Sequence, residues 1–513
     1  MYRPLIYIVL IIILAYSASC RKDFQYRESG GRLEFSKDTV YLDTVFTNIG
    51  SSTYTLKVYN RTGDDILIPS VQLEQGLSSN YRLNVDGEAG KVFEDVTIMA
   101  RDSIFIFIET TFDIGQVNQN EFLYTDVLLF ISSTSEQRIP LVTLIKDAIF
   151  LFPSVLADGT KESIVIGLDP EGNEISVEGF ILENSQLDFT REKPYVIYGY
   201  AAVDENDTLM VEAGSRIHFH KDSGILIGEG ASININGELS TDQELMENQV
   251  ILEGDRLEPE FSEIAGQWGT LWLAPGSLNA QINHCTIKNA TVGLLVEGLM
   301  GSEPTLTIKN SQIYNSGTVN LWGRNTGILA ENVVLGNAGE ASLLCDIGGN
   351  YEFLHCTFAN YWSGSFRTGS ALQLSNFGST ASGEIVIGPL ENAMFSNCII
   401  YGNTPRELSL RSDENTAFNF NFSDVLLKFN DGGGQTENDP LYDFENDLYY
   451  TNIILNEDPV FLNTARNDFR LEPESSARDT ADIETALRVP LDILGTDRTP
   501  DPDLGAFEYT TDQ

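Results

Sequence analysis

The sequence predicts an all-β protein in which an N-terminal β-sandwich is followed by a parallel β-helix, and two patterns support this prediction. Residues 33–152 alternate between apolar and polar side chains with a period of two, which is typical of half-buried strands. Further along the chain, a phrase of six residues, first seen as "HCTIKN" from His284, recurs at short intervals. A repeat of about 20–30 residues without a helical pattern indicates a solenoid of strands.

The first twenty residues read as an export signal. One cation, Arg3, precedes an apolar run from Leu5 to Tyr16, and the small residues of "SASC" follow. This run is shorter than the ~20 helical residues that span a bilayer. The small residues before Cys20 resemble a bacterial lipobox, which implies a lipid on that cysteine; an ordinary signal peptide is the alternative. We expect a signal peptide over 1–19, an anchor linker over 20–32, and attachment to the outer membrane, at its surface or periplasmic face.

The composition is strongly acidic and narrows the range of partners. The chain has 75 Asp and Glu against 31 Lys and Arg, a net charge of −44. Such a surface repels nucleic acid and anionic lipid headgroups. Apart from Cys20 there are four scattered cysteines, at 285, 345, 356 and 398, which form neither a disulfide framework nor a zinc motif. We expect membrane attachment through the lipid, a glycan or envelope protein as partner, and no nucleic acid.

The first region shows its strands most clearly in "TYTLKVYN" (53–60), "DSIFIFIET" (102–110) and "TDVLLFISS" (125–133), with turn-forming residues between them. About 120 residues of this kind form an antiparallel sandwich. The phrase "LEFSKDTVYLDTVFTNIGSSTYTLKVYN" resembles the immunoglobulin-like domain that opens many secreted lipoproteins of the Bacteroidota type. In residues 153–193 the alternation weakens, and we expect a partly ordered connector there.

The repeated phrase predicts one coil per copy. Its copies start at His284, Asn310, Asn332, His355 and Asn397. The intervals are 26, 22, 23 and 42 residues, and we interpret the last as two units of 21 with one unrecognised copy. The fourth residue is always apolar, which predicts an internal column; these residues are Ile287, Ile313, Leu335, Phe358 and Ile400. The sixth is asparagine at 289, 315, 337 and 360, which suits a ladder at a left-handed corner.

Three features resemble the right-handed parallel β-helix superfamily typified by pectate lyases. They are the asparagine corners, the phrase "QWGTLWLAPGS" (267–277) and the tail "DPDLGAFEY" (501–509). The resemblance covers residues 194–509 and implies a right-handed parallel β-helix with a C-terminal cap. It implies a fold more than an activity, because one fold hosts many functions.

The superfamily's enzymes suggest where chemistry would lie. Its pectinase-like hydrolases carry NTD, DD and GHG clusters with a basic RIK-type motif; here the only DD, Asp64-Asp65, lies in the predicted sandwich. Its lyases hold calcium with aspartates and use arginine or lysine as a base. Asp346, Arg324 and Arg367 are candidates for such a site, but no motif ties them together. We therefore assign no catalytic residue.

Cysteines, histidines and acidic residues give no defined metal site. Cys285, Cys356 and Cys398 share one position of the repeat, which indicates a column of small buried side chains rather than nucleophiles. His218 and His220, in "HFH", are predicted to share a strand face but have no evident third ligand. The acidic segment 430–450 fits no calcium-loop pattern, and a solvated loop is expected. The sequence predicts no cofactor and no metal site, and leaves calcium open.

Tyr361 and Trp362 are the candidate ligand-binding residues. They follow an asparagine corner inside the aromatic stretch "YEFLHCTFANYWSGSFRTG" (351–369), where loops leave the coil. Exposed rings there would stack on sugars. The alternative is that both rings are buried beneath a loop and have only a structural role. We expect a lipid-anchored envelope protein whose β-helix binds a glycan or protein partner without catalysis. The alternative is a polysaccharide lyase or glycoside hydrolase on the same scaffold.

Overall fold

The computed structural model describes residues 26–30, 33–113, 121–169, 171–298, 303–380 and 383–511. The protein is nearly all β, and the described residues include one short α-helix, α1 (Ile483–Arg488). Single 3-10 turns lie at Gly76–Ser78, Asn184–Gln186, Pro259–Phe261, Pro440–Tyr442 and Thr464–Arg466. The chain divides into two compact units, 1–147 (unit 1) and 148–513 (unit 2). The predicted signal peptide and Cys20 lie outside the described residues.

Unit 1 consists of two sheets that bury a common apolar cluster. Its strands are β1 (Arg27–Glu28), β2 (Glu34–Phe35), β3 (Val40–Phe46), β4 (Tyr54–Tyr59), β5 (Ile66–Leu73), β6 (Tyr81–Val85), β7 (Glu88–Gly90), β8 (Val92–Ile98), β9 (Ser103–Thr110), β10 (Glu121–Ile131) and β11 (Glu136–Lys146). Six form a sheet in the order β1-β5-β10-β11-β3, with β8 also on β5, and five form a sheet in the order β2-β4-β9-β6-β7. Leu56, Ile106 and Leu141, from both sheets, belong to the buried cluster. The period of two predicted this one-sided burial.

Unit 2 contains the remaining strands. They are β12 (Ile149–Leu151), β13 (Ser163–Leu168), β14 (Glu174–Ile181), β15 (Asp188–Phe189), β16 (Tyr195–Ile197), β17 (Tyr200–Val203), β18 (Thr208–Glu212), β19 (Arg216–Phe219), β20 (Gly224–Ile227), β21 (Ser232–Asn236), β22 (Val250–Gly254), β23 (Leu271–Leu273), β24 (Ala280–Asn283), β25 (Cys285–Lys288), β26 (Val292–Glu297), β27 (Leu306–Ser316), β28 (Val319–Ala338), β29 (Ala341–Leu354), β30 (Thr357–Asn360), β31 (Leu372–Ser375), β32 (Phe377–Ser379), β33 (Ile385–Ile387), β34 (Leu390–Gly402), β35 (Leu408–Arg411), β36 (Asn421–Leu427), β37 (Tyr450–Leu455), β38 (Phe461–Asn463) and β39 (Asp468–Leu471).

Twenty-four of these strands form one sheet whose ladders are parallel except for the antiparallel pair β13–β14. Ladder A contains the repeated phrase and runs through β16, β19, β22, β25 and onward to β36 and β37. Ladder B runs through β17, β20, β23, β26, β28, β29, β31 and β35. A third ladder begins with β15, β18, β21 and β24. Side chains from all three ladders meet in one buried apolar cluster.

The predicted internal column is present in ladder A. Ile287 is paired with Ile313, Ile313 with Leu335, Leu335 with Phe358, and Phe358 with Ile400. Each of these side chains is buried. Parallel pairing in register places equivalent residues of neighbouring strands side by side, about 4.8 Å apart.

The interpretation of the 42-residue interval is wrong. Phe358 pairs directly with Ile400, so a single long coil separates these copies, and His355 and Asn397 are joined by a 2.9 Å hydrogen bond. The additional residues include the antiparallel hairpin β32–β33, which lies between β31 and β34. Two further copies were missed instead, at Asp424 and Asn452, whose fourth residues Leu427 and Leu455 continue the column register.

Corners lie at both ends of the phrase. The first residues, at 284, 310, 332, 355 and 397, all have left-handed φ angles between 41° and 55°. Asn289, Asn315 and Asn337 at the sixth position are also left-handed, but Asn360 is not among the described positive-φ residues. The direct amide ladder forms at the first position, where Asn332 donates to Asn310 over 2.9 Å. Asparagine and histidine suit these corners because their side chains tolerate left-handed backbone.

The C-terminal segment, residues 456–509, lies along ladder A. Its Ala506 donates a backbone hydrogen bond to Thr357 Oγ1, and its Phe469 packs against Gly336, where a β-carbon would lie 2.4 Å from the ring. Val334 and Ala359 of ladder A point away from the main buried cluster. The C-terminal segment covers them, and they are buried against Phe469 and Phe507. The C-terminal segment therefore covers several strands of ladder A and hides their apolar outer residues.

Residues 153–193, expected as a connector, carry β13, β14 and β15. The first two form an antiparallel pair, and β14 also joins β17 in parallel. Phe180, Leu182 and Phe189 belong to the buried cluster of unit 2. These buried side chains attach the range to the large sheet.

Candidate functional site

Three successive strands of ladder B bring Glu297, Arg324 and Asp346 into one ion cluster. Glu297 is in register with Arg324, and Arg324 with Asp346. Arg324 Nη1 lies 3.2 Å from Glu297 Oε1, and its Nε lies 3.0 Å from Asp346 Oδ1. Its Nη2 donates to the carbonyl of Ser379 over 2.6 Å. The guanidinium is thus held between two carboxylates, which compensate its positive charge.

Two tryptophans flank this ion cluster. Trp322 Nε1 donates to Asp346 Oδ1 over 3.2 Å, and Trp272 Nε1 donates to Glu297 Oε2 over 2.9 Å. The Arg324 guanidinium lies 5.0 Å from the centre of the Trp322 ring. Burial raises the pKa of Asp346, although Arg324 and Trp322 act in the opposite direction.

Sequence reasoning identified two of the cluster's members and missed three. Glu297, Trp272 and Trp322 were not candidates. Each tryptophan precedes its carboxylate by one coil, since Trp272 is in register with Leu295 and Trp322 with Leu344. This one-coil spacing between tryptophan and acid is the signal that could have revealed them.

Arg367 has a different role from Arg324. Its Nη2 and Nη1 lie 2.7 and 2.9 Å from the two oxygens of Glu407, and both side chains are fully buried. It also donates to the carbonyls of Asn360 and Gly369 and to Asn403 Oδ1. Arg367 therefore fastens the loop that follows Asn360, and the three lyase candidates do not form one site.

Tyr361 and Trp362 line a cleft of about 630 Å³. We call it the Trp362 cleft; it is lined by Glu263, Ile264, Ala265, Asn315, Asn337, Tyr361, Trp362, Ser363, Gly364, Asn403, Thr464 and Ala465. Its walls come from the loop after Phe261, the corners of ladder A, the loop after Asn360 and the C-terminal segment. Asn403 adds the turn after β34, so the fold joins five distant parts of the sequence at one opening.

The two aromatic residues differ in their surroundings. Tyr361 packs against Phe461 and Phe469 with ring centres 6.2 and 6.4 Å apart, and burial raises its pKa. Trp362 is half-buried and donates from its indole nitrogen to Ser365 Oγ over 3.0 Å. Tyr361 is thus mainly a packing residue, whereas Trp362 offers ring surface to the cleft.

The polar wall of the cleft is held by a chain of side-chain hydrogen bonds. Asn315 donates to Glu263 Oε2 over 2.5 Å, and Asn467 contacts both of them at 3.3 Å. Asn337 donates to Asn467 Oδ1 over 2.8 Å and accepts from the backbone of Tyr361. These mutual bonds fix the amide and carboxylate groups before any ligand arrives.

The histidine pair does not converge on a metal site. His218 Nδ1 lies 3.7 Å from Glu253, which is itself paired with Lys288 at 2.8 Å. His220 lies beyond the end of β19, bonds Asp255 at 2.8 Å and so has a raised pKa. Within the described ranges no group of three or more His, Cys, Asp or Glu residues is placed to hold a metal ion.

The aligned cysteines are buried, free thiols. Burial raises the pKa of Cys285 and of Cys356, which opposes formation of the reactive thiolate. The sulfur of Cys398 donates to the carbonyl of Ser396 at 3.3 Å. A packing role accounts for their common register.

Part of the acidic segment 430–450 packs inward instead of forming only a solvated loop. Leu441, Tyr442 and Phe444 contact the main buried cluster, and Phe429 stacks on Tyr442 with ring centres 5.1 Å apart. Tyr442 also accepts a hydrogen bond from the backbone of Leu410. The aromatic residues of this segment therefore cover neighbouring coils, while several of its acids remain exposed.

Within the described part of the chain, no helix has the length and apolarity needed to cross a membrane. No family model matches the sequence, and no curated protein matches it. Among solved structures, one similarity is to a family 123 glycoside hydrolase from Clostridium perfringens, studied for glycolipid glycan hydrolysis. It has 10% identity and a TM-score of 0.17, and it covers 22% of this chain and 24% of that one.

A second similarity is to the catalytic unit of a thermostable GH87 alpha-1,3-glucanase from Streptomyces thermodiastaticus strain HF3-3. It has 10% identity and a TM-score of 0.18, with 72% of this chain and 83% of that chain covered. Both TM-scores are too low to carry an inference about this protein.

Proposed function

We propose that this protein is a lipid-anchored envelope protein whose unit 2, a right-handed parallel β-helix, binds an uncharged glycan in the Trp362 cleft without cleaving it. In the same proposal, unit 1 is an immunoglobulin-like β-sandwich. The observation that carries the binding proposal is the combination of a half-exposed indole with fixed amide and carboxylate groups in one cleft. A sugar ring offers an apolar face to an aromatic ring and hydroxyl groups to such polar partners.

Charge favours an uncharged ligand. Among the residues that line the cleft, all of them described, there is no Lys, Arg or His, and Glu263 supplies a negative charge. The whole chain carries a net charge of −44. A polyuronate would therefore meet repulsion from the protein and no compensating cation at the cleft.

Preorganisation supports binding as well. The ion pair between Arg367 and Glu407 holds the loop that carries Trp362, and Asn403 donates to the Trp362 carbonyl over 2.8 Å. A loop already ordered in the free protein loses less conformational entropy when a ligand binds.

A polysaccharide lyase or glycoside hydrolase is the second candidate. The observation that favours it is the cluster of Glu297, Arg324 and Asp346 between two tryptophans. Two carboxylates are the requirement for glycoside hydrolysis, and the raised pKa of Asp346 is suited to an acid. Arg324 bridges both carboxylates, however, and occupies the space between them.

A glycan array with the full chain tests the binding proposal. Trp362→Ala should weaken binding by about 1–3 kcal/mol, roughly 5–150-fold, with an unchanged melting temperature. Trp272→Ala is the matched control, since it removes another half-buried indole outside the cleft, and it should bind as the wild type does. Loss of binding in Trp272→Ala but not in Trp362→Ala would move the site to the ion cluster. Absence of binding to any neutral glycan would refute the proposal.

The anchor is tested separately. Cys20→Ser should remove lipid attachment and release the protein from the membrane fraction in soluble or uncleaved form. Fatty-acid labelling followed by detergent partition measures this. A mutant that is still labelled and still needs detergent would show that Cys20 is not the lipidated residue.

A further inference from the structure

One face of unit 1 is unusually aromatic for a surface. In β4 and β9 the residues that point inward, such as Leu56 and Ile106, are fully buried. The alternate residues Lys57, Phe105 and Phe107 face outward, with Phe105 46% and Phe107 40% exposed. A sheet with one solvated face normally carries polar residues there. We call Lys57, Tyr59, Phe105 and Phe107 the aromatic face.

The side chains of the aromatic face form one continuous group. Phe105 and Phe107 stack with ring centres 6.3 Å apart. Lys57 Nζ lies 4.9 Å from the centre of Phe105 and 5.3 Å from that of Tyr59. The Arg61 guanidinium lies 4.2 Å above Tyr59. Cations and aromatic rings are thus interleaved on a single surface.

The charge of this surface differs from that of the whole chain. Its cations are Lys57, Arg61 and Arg82, and the acids paired with the two arginines are Glu34 and Glu109. Among the described residues Lys57 has no carboxylate partner within ion-pair distance, so its ammonium remains available. Lys57 is the charged member of the aromatic face, in a protein of net charge −44. Its ammonium can pair with the phosphates of an anionic surface.

The first described residues lie next to the same surface. Arg27 pairs with Asp64 at 2.8 Å, in the turn that also carries Arg61, and Arg61 pairs with Glu34 of the edge strand β2 at 3.0 Å. From Cys20 to Tyr26, the first described residue, the chain can span at most about 20 Å. A lipid on Cys20 would therefore hold unit 1 close to the bilayer.

We propose that the aromatic face docks on the phospholipid surface, with Phe105 and Phe107 at the level of the headgroups and Lys57 directed to their phosphates. The inference rests on the proposed Cys20 anchor and extends it from a tether to an oriented contact. Aromatic rings favour the membrane interface, and lysine stems lie along apolar surface while the ammonium reaches the phosphates. The anchored protein would then present a defined orientation to its surroundings.

Site-specific labelling of the full lipidated chain tests this contact. Phe107→Cys is labelled with an environment-sensitive fluorophore in vesicles of phosphatidylethanolamine and phosphatidylglycerol. The four native cysteines of unit 2 are buried, which keeps them from competing for the label. Tyr41→Cys is the matched control, since Tyr41 is an aromatic residue of β3 in the other sheet with 66% exposure.

The expected result is a blue shift at position 107 and at least about a twofold lower rate of quenching by a water-soluble quencher than at position 41. Circular dichroism of both variants verifies that they are folded. Vesicle-bound protein quenched equally at both positions would overturn the docking while leaving the anchor intact, and would favour a protein partner for this face. Protein found in the aqueous fraction would overturn the anchor and the docking together.

Discussion

Arg498 donates a 2.8 Å hydrogen bond from Nη2 to Asn332 Oδ1, which joins residues 166 positions apart. The same guanidinium contacts His355 Nδ1, donates to the carbonyl of Gly505 and lies 3.3 Å from Glu508. Its side chain is fully buried. Asn332 and His355 are the first residues of successive phrase copies. Arg498 bonds both of them, and it thereby connects the C-terminal segment to the corners of ladder A.

Replacement of Arg498 should destabilise unit 2 strongly. Arg498→Ala leaves two buried acceptors, Asn332 Oδ1 and the Gly505 carbonyl, without their donor, and each unpaired buried group costs about 1–3 kcal/mol. Denaturant unfolding measures the change. Arg466→Ala is the control, because Arg466 belongs to the same segment but is exposed, and it should change stability by less than about 0.5 kcal/mol. Equal effects of both variants would show that the buried contacts of Arg498 are not stabilising.

Glu508 should make unit 2 less stable as the pH rises. Burial raises the pKa of Glu508 to about 8, from an ordinary value of 4.5, despite the nearby Arg498. Between these values the folded chain holds a proton that the unfolded chain has released, so the free energy of unfolding falls with rising pH. Burial also raises the pKa of Asp492 and Asp503, which face the same guanidinium and act in the same direction.

The free energy of unfolding is best compared between pH 6.5 and about 8, where Glu508 titrates and His355 does not contribute. Burial lowers the pKa of His355 below its ordinary value of 6.5. This residue therefore reduces the free energy of unfolding only when the pH falls below 6.5, outside the chosen window. Denaturant unfolding at both ends of the window should show a smaller loss of stability in Glu508→Gln than in the wild type. His220 has a raised pKa in both proteins, so its contribution to the pH dependence is the same and drops out of the difference between them. Identical pH slopes would show that Glu508 is ionised throughout.

Phe358 should be critical for unit 2 and irrelevant to unit 1. Its ring is buried, with the centres of Phe353 and Phe395 at 5.4 and 5.8 Å. Phe358→Ala should cost about 3–5 kcal/mol, because it removes apolar contacts and leaves a cavity. Calorimetry should show a lower transition temperature for unit 2 and an unchanged one for unit 1. The exposed Phe366 provides the control variant, Phe366→Ala; a single inseparable transition in all three proteins would contradict independent folding of the units.

Polyuronates should not be cleaved. Arg324 is bound by two carboxylates and a carbonyl, so its guanidinium is already engaged within the protein instead of being available to a substrate. The test is the absorbance of unsaturated products from polygalacturonate, alginate or glycosaminoglycans in the presence of calcium. Steady product formation that is lost in Arg324→Ala and Asp346→Asn would establish the lyase alternative. An Arg367 variant is a poor probe, because it also releases the loop that carries Trp362.

Local patterns in the sequence were sufficient for the apolar column and for three of the four left-handed corners expected at the sixth position, whereas the corner at the first position was not expected. A strand has a side-chain period of two, and a corner with positive φ favours Asn or His, so these features are determined within each copy of the phrase. The copies at Asp424 and Asn452 were missed because their letters diverge, although the apolar fourth residue persists in Leu427 and Leu455.

The tertiary structure alone decided which distant residues meet. Glu297 joins Arg324 and Asp346 because parallel strands stack in register, and the lengths of the intervening loops determine that register. Trp362 faces a cleft while Tyr361 is packed, because Phe461 and Phe469 arrive from the C-terminal segment. No local pattern around residue 361 contains that information. The repeat thus determined the scaffold, whereas long-range packing decided which of its side chains remain accessible to a ligand.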